Sequence, residues 1–579
     1  MKNRIYRLAA ILLSCSLLFS GCGQQADKKE ECPYEEFIVV DVFDGLANYQ
    51  GVQSGWFAKL VKDKFNMELN IIAPNVAGGG DTLFETRAAA GDIGDLIICS
   101  GESGNLPDMV TAGLVMDMEP YIKDKQIMRF EKAIRFMHEN IPQDGIYGIP
   151  SELSLNAPTM PSEVLEPTYG PYIRWDLYKE LGYPEMETLE DMLPVLKDMQ
   201  NLCPSTEDGE RTYAFSFFRD WDANLMNAAK QPCCFYGYDE YGFVLAKADG
   251  SDFQSILDDD SIYFRVLKWY FDANQMGLVD PDSITQKYED FVEKYEKGQI
   301  LYAPWPWVAQ THYNTLEREE QGKGFMMADI ADMSIYSYGC SEYGNQKSII
   351  AIGANAQDPE RMADFIDWLY SSEGISANGV FSIAQTAGPE GLAWEYGEKG
   401  PYLTEFGKEA LVKGDATVPE EWGGGSWKGG ISQLNYLAVN KMELDERGYP
   451  YQYQMWESVI DGSASAIKKD WQMQMGATTT LDYLIDNGKL AVSPGCGYTN
   501  PSENTEQTAI RKQCRGVIQE YSWRMIFAED EKEFYELLHT MQEEAYALGF
   551  EEILAFDMEG AMAKDAAKKE AVKAYSGKE

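Results

Sequence analysis

Residues 37–99 alternate between two hydrophobic periods, and no other stretch constrains the fold as tightly. Phe37-Ile38-Val39-Val40-Asp41-Val42 reads as a buried strand, and Trp56, Phe57, Leu60, Val61 and Phe65 recur at helical spacing. Residues 69–73 and Leu96-Ile97-Ile98-Cys99 are again strand-like, with a helix-compatible stretch at 81–90 between them. Strands separated by helices of this length imply right-handed crossovers and a parallel sheet covered on both sides, so the fold class is α/β. In such sheets ligands lie beyond the carboxyl ends of the strands. Asp44 follows the first strand, and Glu102 sits in Ser100-Gly101-Glu102-Ser103-Gly104 after the third. The two carboxylates are expected on one rim, placed to accept hydrogen bonds from sugar hydroxyls or to pair with a cationic ligand. The alternative is that both are turn residues.

The amino terminus carries an address. Lys2, Arg4 and Arg7 precede an apolar run over 8–19, which ends in Leu18-Phe19-Ser20-Gly21-Cys22. This order matches a bacterial lipoprotein signal, in which the Cys22 thiol takes a diacylglycerol and the segment before it is removed. A dozen apolar residues are too few to span a bilayer permanently. Ordinary secretory cleavage near Ala26 is the alternative, and Phe19 stands where such signals usually carry Leu. The polar stretch after Cys22 has no apolar face and is expected to serve as a flexible tether.

Charge removes one class of partner. The 579-residue chain has 94 acidic and 49 basic residues, a net charge of -45, and a surface this negative repels nucleic-acid backbones and anionic lipid heads. Outside Cys15 and Cys22, eight cysteines are scattered without a C-x-x-C pair, and there are only His138, His312 and His539. That spacing argues against zinc and leaves most thiols as buried small hydrophobes, with a disulfide or two open. Asp258-Asp259-Asp260 is a compact acidic run, but it lacks EF-hand spacing and reads more simply as solvated acids near a helix end. No metal or cofactor is called for.

Aromatic residues supply the remaining candidates. A helix over 291–298 with a glycine stop and a short strand over 300–303 lead into Pro304-Trp305-Pro306-Trp307. The prolines hold Trp305 and Trp307 on a stiffened backbone that is expected to be non-helical, where an indole face can stack on the C–H face of a pyranose. The alternative places both rings in the core. A glycine-rich loop over 421–430 carries Trp422 and Trp427, either as a mobile lid that brings Trp422 or Trp427 to a ligand or as a surface loop that Trp427 anchors. A long helix is expected over 531–549, followed by a fraying helical tail after Ala561. No fixed-period repeat is present.

These blocks occur in an order that resembles the extracellular solute-binding proteins of carbohydrate ABC importers, in the maltose-binding-like class and more closely the long LplA-like lipoproteins. The resemblance is carried by the lipoprotein signal, Gly91-Asp92-Ile93-Gly94-Asp95-Leu96-Ile97-Ile98, Tyr147-Gly148-Ile149-Pro150, Arg174-Trp175-Asp176-Leu177, Tyr295-Glu296-Lys297-Gly298 through Trp307, and 358–374. It implies a two-lobed, periplasmic-binding-protein-like (type II) α/β fold with hinge crossovers. On that model 1–21 is the signal peptide and 22–33 the tether. Lobe one is 34–150 plus 348–388, and lobe two is 151–347 plus 389–579. The resemblance places Trp305 at a sugar-stacking position, Asp44 and Glu102 at rim positions, and Glu152 where the lobes face each other. It implies a monomeric, lipid-anchored receptor on the outer face of the cytoplasmic membrane that captures an oligosaccharide and passes it to separate ABC permease subunits. A peptide or other polar-solute receptor shares that fold. A secreted glycosidase would also use tryptophans and paired carboxylates, but the order of elements is not an eightfold βα barrel.

Overall fold

The computed structural model describes residues 32–77, 81–100, 105–139, 141–380, 385–460 and 464–577. The signal, Cys22 and nearly all of the tether lie outside the described residues, as does Glu102.

The alternating segment builds one sheet. Its strand order is Gly51–Val52, Met67–Ile72, Ile38–Asp44, Leu96–Cys99, Asn345–Ile352, Ile149–Ser151. Ile38–Asp44 runs parallel to both neighbours, with Val40 opposite Leu69 and Phe43 opposite Ile97. The two strands added from later in the chain are antiparallel, with Ile350 opposite Ile98 and Ile349 opposite Pro150. The first strand is less covered than its apolar run suggests: Phe37 and Val39 remain over 40% exposed, whereas Val40 and Val42 are fully buried. Pleating sends alternate residues to opposite faces, and only one face is packed at the strand's start. The helix Gly55–Phe65 turns Trp56, Phe57, Val61 and Phe65 onto the sheet and ends at Asn66, whose left-handed φ of 48° lets its N–H reach the Lys62 carbonyl.

A second core is built from 169 onward around the short antiparallel sheet Tyr302–Ala303, Tyr172–Arg174, Phe325–Met327 and the helices Ile262–Gln275, Thr505–Ile526 and Glu531–Ala547. Each large side chain buried in either core contributes about 2–3 kcal/mol of transfer free energy. The two clusters share no residue, which makes the molecule two-lobed.

Chain assignment departs from the expectation at one place. Residues from Ala387 to Trp456, including Trp394, Trp427, Leu434 and Tyr451, pack into the first core, and the second core resumes only at Ile467. Lobe one therefore keeps the segment that had been assigned to lobe two. The physical reason is apolar surface: the helix Gly55–Phe65 presents Trp56, and Trp427 covers it. The chain thus crosses between lobes three times. Where it first leaves lobe one, Leu153 pairs with Val439 of the later lobe-one segment, through Leu153 N–H to the Ala438 carbonyl at 3.1 Å and Asn440 N–H to the Leu153 carbonyl at 2.9 Å.

The tail after Ala561 does not fray. It continues the 27-residue helix Phe550–Ser576, because Asp557 is buried and accepts both Arg511 guanidinium nitrogens at 2.9 and 2.6 Å and the Phe243 N–H at 2.7 Å. All eight cysteines among the described residues are free thiols, five of them buried. The acidic run is used locally: the Asp258 carboxylate accepts the Ser255 N–H and Asp259 accepts Gln542.

Candidate functional site

The second lobe brings two strand-like segments to a common end. Tyr213 bridges Ile300 in parallel, so the chain after Phe217 and the chain after Ala303 emerge side by side. The first delivers Trp221 and the second delivers Trp305 and Trp307.

Trp305 is the N-cap of a helix, with an extended backbone at φ −131°. The helix is Pro306–Tyr313, so Trp307 stands in a first helical turn and not on the non-helical backbone expected; proline is tolerated at that first position because its missing N–H would have no partner there. Trp305 is 6% exposed and Trp307 is 41% exposed, with ring centroids 5.3 Å apart and planes 31° apart. Trp305 is held from behind. Its Nε1 donates to Gln231 Oε1 at 3.2 Å, Gln231 Nε2 donates to Asn227 Oδ1 at 2.7 Å, and the Asn227 N–H reaches Asp222 Oδ1 at 2.8 Å. Asp222 Oδ2 accepts Trp523 Nε1 at 2.7 Å, and burial pushes the Asp222 carboxyl above its usual range against the pull of those donors. The gap behind Trp305, beside Phe217, Tyr270 and Tyr302, measures about 20 Å³, room for one water and no more.

Two further rings complete a platform. Trp221, 41% exposed, stacks on Tyr288 at 4.5 Å and 29°, and approaches Trp307 at 5.9 Å and 33°. Asp220 ties the two segments, accepting Lys287 Nζ and the Tyr288 N–H, each at 3.0 Å. Trp221 and Tyr288 carried no signal of their own in the sequence, beyond lying in an aromatic-rich stretch; their partnership is set by tertiary contact.

Asp44 and Trp427 take other roles. Asp44 is fully buried at the end of its strand, with Oδ1 accepting the Leu46 N–H at 3.1 Å and Oδ2 the Asn435 N–H at 2.8 Å. Burial raises its pKa to about 6, outweighing those hydrogen bonds. It staples 431–435 to the rim and does not present a carboxylate to a ligand; the turn alternative describes it better. Trp427 is fully buried against Trp56 and carries no lid function. Glu152 is half-buried at the first crossing, with a φ of 53° and its N–H on the Leu437 carbonyl at 2.8 Å. Lys441 lies near Glu152 and Glu163; burial lowers its pKa and those two carboxylates oppose the shift. Among the described residues no group of three or more His, Cys, Asp or Glu is placed to hold a metal ion, and no helix is long and apolar enough to cross a membrane.

No family model matches the chain, and no curated protein matches it significantly. Solved structures do share its architecture. Alginate-binding protein AlgQ2, determined without calcium ion, superposes with a TM-score of 0.59 at 14% identity, covering 93% of this chain and 100% of its own. The ABC-transporter substrate-binding protein FusA of S. pneumoniae, in complex with kestose, gives 0.56 at 13% identity over 92% of this chain and 99% of its own. An HMO-binding, ABC-transporter-associated solute-binding protein from Bifidobacterium longum infantis gives 0.57 at 14% identity with the same coverage. At these identities the likeness is one of fold, and the fold is the two-lobed type II periplasmic-binding architecture.

Proposed function

We propose that this chain is the substrate-binding component of an ABC importer and that it captures an oligosaccharide between its lobes, on the platform made by Trp221, Trp305 and Trp307. The observation that carries the reading is that platform: two indoles left two-fifths open on a lobe rim, with the third fixed from behind by Gln231. Large apolar rings are rarely left clustered and open on a surface unless something covers them. An indole face offers a pyranose a flat apolar contact at little cost in side-chain entropy. The fold adds a second shell that can close over the sugar by rigid-body rotation about the three crossings. Alginate, kestose and milk-oligosaccharide recognition belongs to the structural neighbours, and it supports a saccharide over a peptide as the guest here.

On this reading the chain is a receptor and not an enzyme, acts as a monomer, is moored by a lipid on Cys22 to the outer face of the cytoplasmic membrane, and delivers its cargo to permease subunits on other chains. Glu152 and Glu102 remain proposed as groups facing the closed cleft. The test is a thermal-shift screen of the mature protein against β-fructans, alginate oligomers, milk oligosaccharides and host glycans. A matching saccharide should raise Tm and quench tryptophan fluorescence, with no hydrolysis of the ligand. Absence of any response across that panel, or turnover of a bound glycan, overturns the reading.

A further inference from the structure

A cavity larger than the gap at Trp305 lies away from the platform. It lies in the first lobe, between the helices Gly55–Phe65 and Ser372–Asn378 and the later segment 389–456, and has a volume of about 280 Å³. That is just below the usual range for small-molecule sites, so its occupant is compact. Every lining residue belongs to lobe one, and none is shared with the Trp221–Trp307 platform.

The walls have one chemical character. Trp394 and Trp456 meet at 5.3 Å and 50°, and Tyr396 closes on Trp394 at 5.0 Å and 73°, which makes a concave aromatic corner. Their polar ends are spent within the protein. Trp394 Nε1 donates to the Gly388 carbonyl at 2.8 Å, Trp456 Nε1 donates to the Pro450 carbonyl at 2.7 Å, and the Tyr396 hydroxyl donates to Asp445. The rings therefore offer π surface and not donors. The other charged groups in the lining are carboxylates, Glu373, Glu390 and Asp445, and no lysine or arginine lines the cavity. Two cations stand just behind it. Lys64 pairs with Glu373 at 2.8 Å, and the Arg447 guanidinium sits 3.7 Å from the centroid of Tyr396, so one of these ring faces already holds a cation.

The Trp394, Trp456 and Tyr396 donors are consumed, the hydroxyls of Ser372, Ser376 and Tyr451 are the polar remainder of the wall, and all the charged lining groups are carboxylates, so the site favours a ligand that carries positive charge on an apolar shell. Anions are repelled by the carboxylates. We propose that this cavity is a second ligand site, independent of the saccharide cleft, and that it takes a compact alkylated ammonium ion through cation–π contact with Trp422 and Trp394 and charge pairing with Glu390. Trp422 lines the cavity from a short turn that closes on Gly423, half-buried at the edge of the first core.

Isothermal titration of the full mature protein separates charge from shape. Choline chloride is compared with 3,3-dimethyl-1-butanol, which has the same outline and no charge, against a sodium chloride blank. Choline should bind saturably and the neutral isostere should not, and Trp422→Ala and Glu390→Gln should each weaken choline by about fivefold or more with Tm unchanged. Equal binding of the isostere overturns the proposal by making the cavity merely apolar. So does failure of choline to bind at about 10 mM, or full affinity in both folded variants.

Discussion

Trp56 and Trp427 lie face to face in the first lobe, with ring centroids 4.7 Å apart and planes within 14° of parallel, and Trp56 Nε1 donates to the Trp427 carbonyl at 3.1 Å across 371 residues of chain. The backbones approach equally closely: a Cβ on Gly55 would fall 2.3 Å from the Gly430 Cα, so both positions must be glycine for the turn to seat. Trp427→Ala removes a fully buried indole from this stack and should cost about 3–5 kcal/mol. Thermal denaturation should show a lower Tm, while saccharide binding measured well below that Tm stays within a few-fold of wild type. Loss of binding without loss of stability would return Trp427 to the ligand.

That pair also shows what the sequence could and could not disclose. The strands were legible because Val40 and Val42, and Leu69 and Ile71, repeat the two-residue period of the pleat, and Leu96-Ile97-Ile98-Cys99 is a short continuous apolar run; the helix face from Trp56 to Phe65 follows from 3.6 residues per turn. The allegiance of 389–456 was not legible, because its glycine-rich turns have no period and its partner surface lies at the other end of the chain. The same holds at the platform. Pro304 and Pro306 announced a fixed backbone at Trp305, but that Pro306 starts a helix, and that Trp221 and Tyr288 come to meet it, depends on packing between segments 67 or more residues apart. Asp44 had two readings in sequence, and only burial distinguishes a staple from a ligand group.

Trp307→Ala and Trp221→Ala should behave in the opposite way to Trp427→Ala. Each ring is two-fifths exposed, so truncation leaves no cavity and Tm should stay within about one or two degrees of wild type. Saccharide affinity should fall by about tenfold or more, as for truncation of an aromatic anchor worth above about 1 kcal/mol. Titration calorimetry on both variants checks this, and unchanged affinity in both removes the platform from the site.

Acidification should stabilise the first lobe through Asp44. Its folded-state pKa is raised to about 6 against an ordinary value of 3.8, so the folded protein binds a proton more readily than the unfolded chain between those values. The penalty for the buried charge is full above about pH 6 and is relieved as pH falls toward about 4, by an amount on the order of 3 kcal/mol. The difference in Tm between wild type and Asp44→Asn, measured from pH 7 to pH 4, should therefore change across that window. A flat difference would mean that Asp44 does not titrate there.

Cys22→Ser should release the protein. If the thiol carries the lipid, wild type fractionates with membranes and incorporates labelled fatty acid, whereas the variant incorporates none and either appears in the medium or is retained only as the uncleaved precursor. A variant that stays membrane-bound and acylated would place the lipid elsewhere.

If the lobes close on a ligand, the way the first crossing is fastened to lobe one should matter, and Glu443 is a fastener there. Its Oε1 accepts the Ser154 hydroxyl at 2.5 Å, the Leu155 N–H at 3.0 Å and the Asn156 side-chain amide at 2.9 Å, which ties the first crossing to the later lobe-one segment. Glu443→Ala removes the shared acceptor of all three donors, leaving the Asn156 amide its bond to the Met442 carbonyl and the exposed Leu155 N–H to water, at a cost of about 1 kcal/mol, and loosens the two segments. Because both lobes keep their own cores, the consequence should appear in the lobe-to-lobe geometry before it appears in the fold. Small-angle scattering should show wild type contracting on addition of its saccharide, and Glu443→Ala should show a weaker contraction with several-fold lower affinity. Glu443→Gln keeps an acceptor oxygen at the same point and should restore both. If the alanine variant contracts as wild type does, the backbone pairing of Leu153 with Ala438 and Asn440 suffices to hold the first crossing.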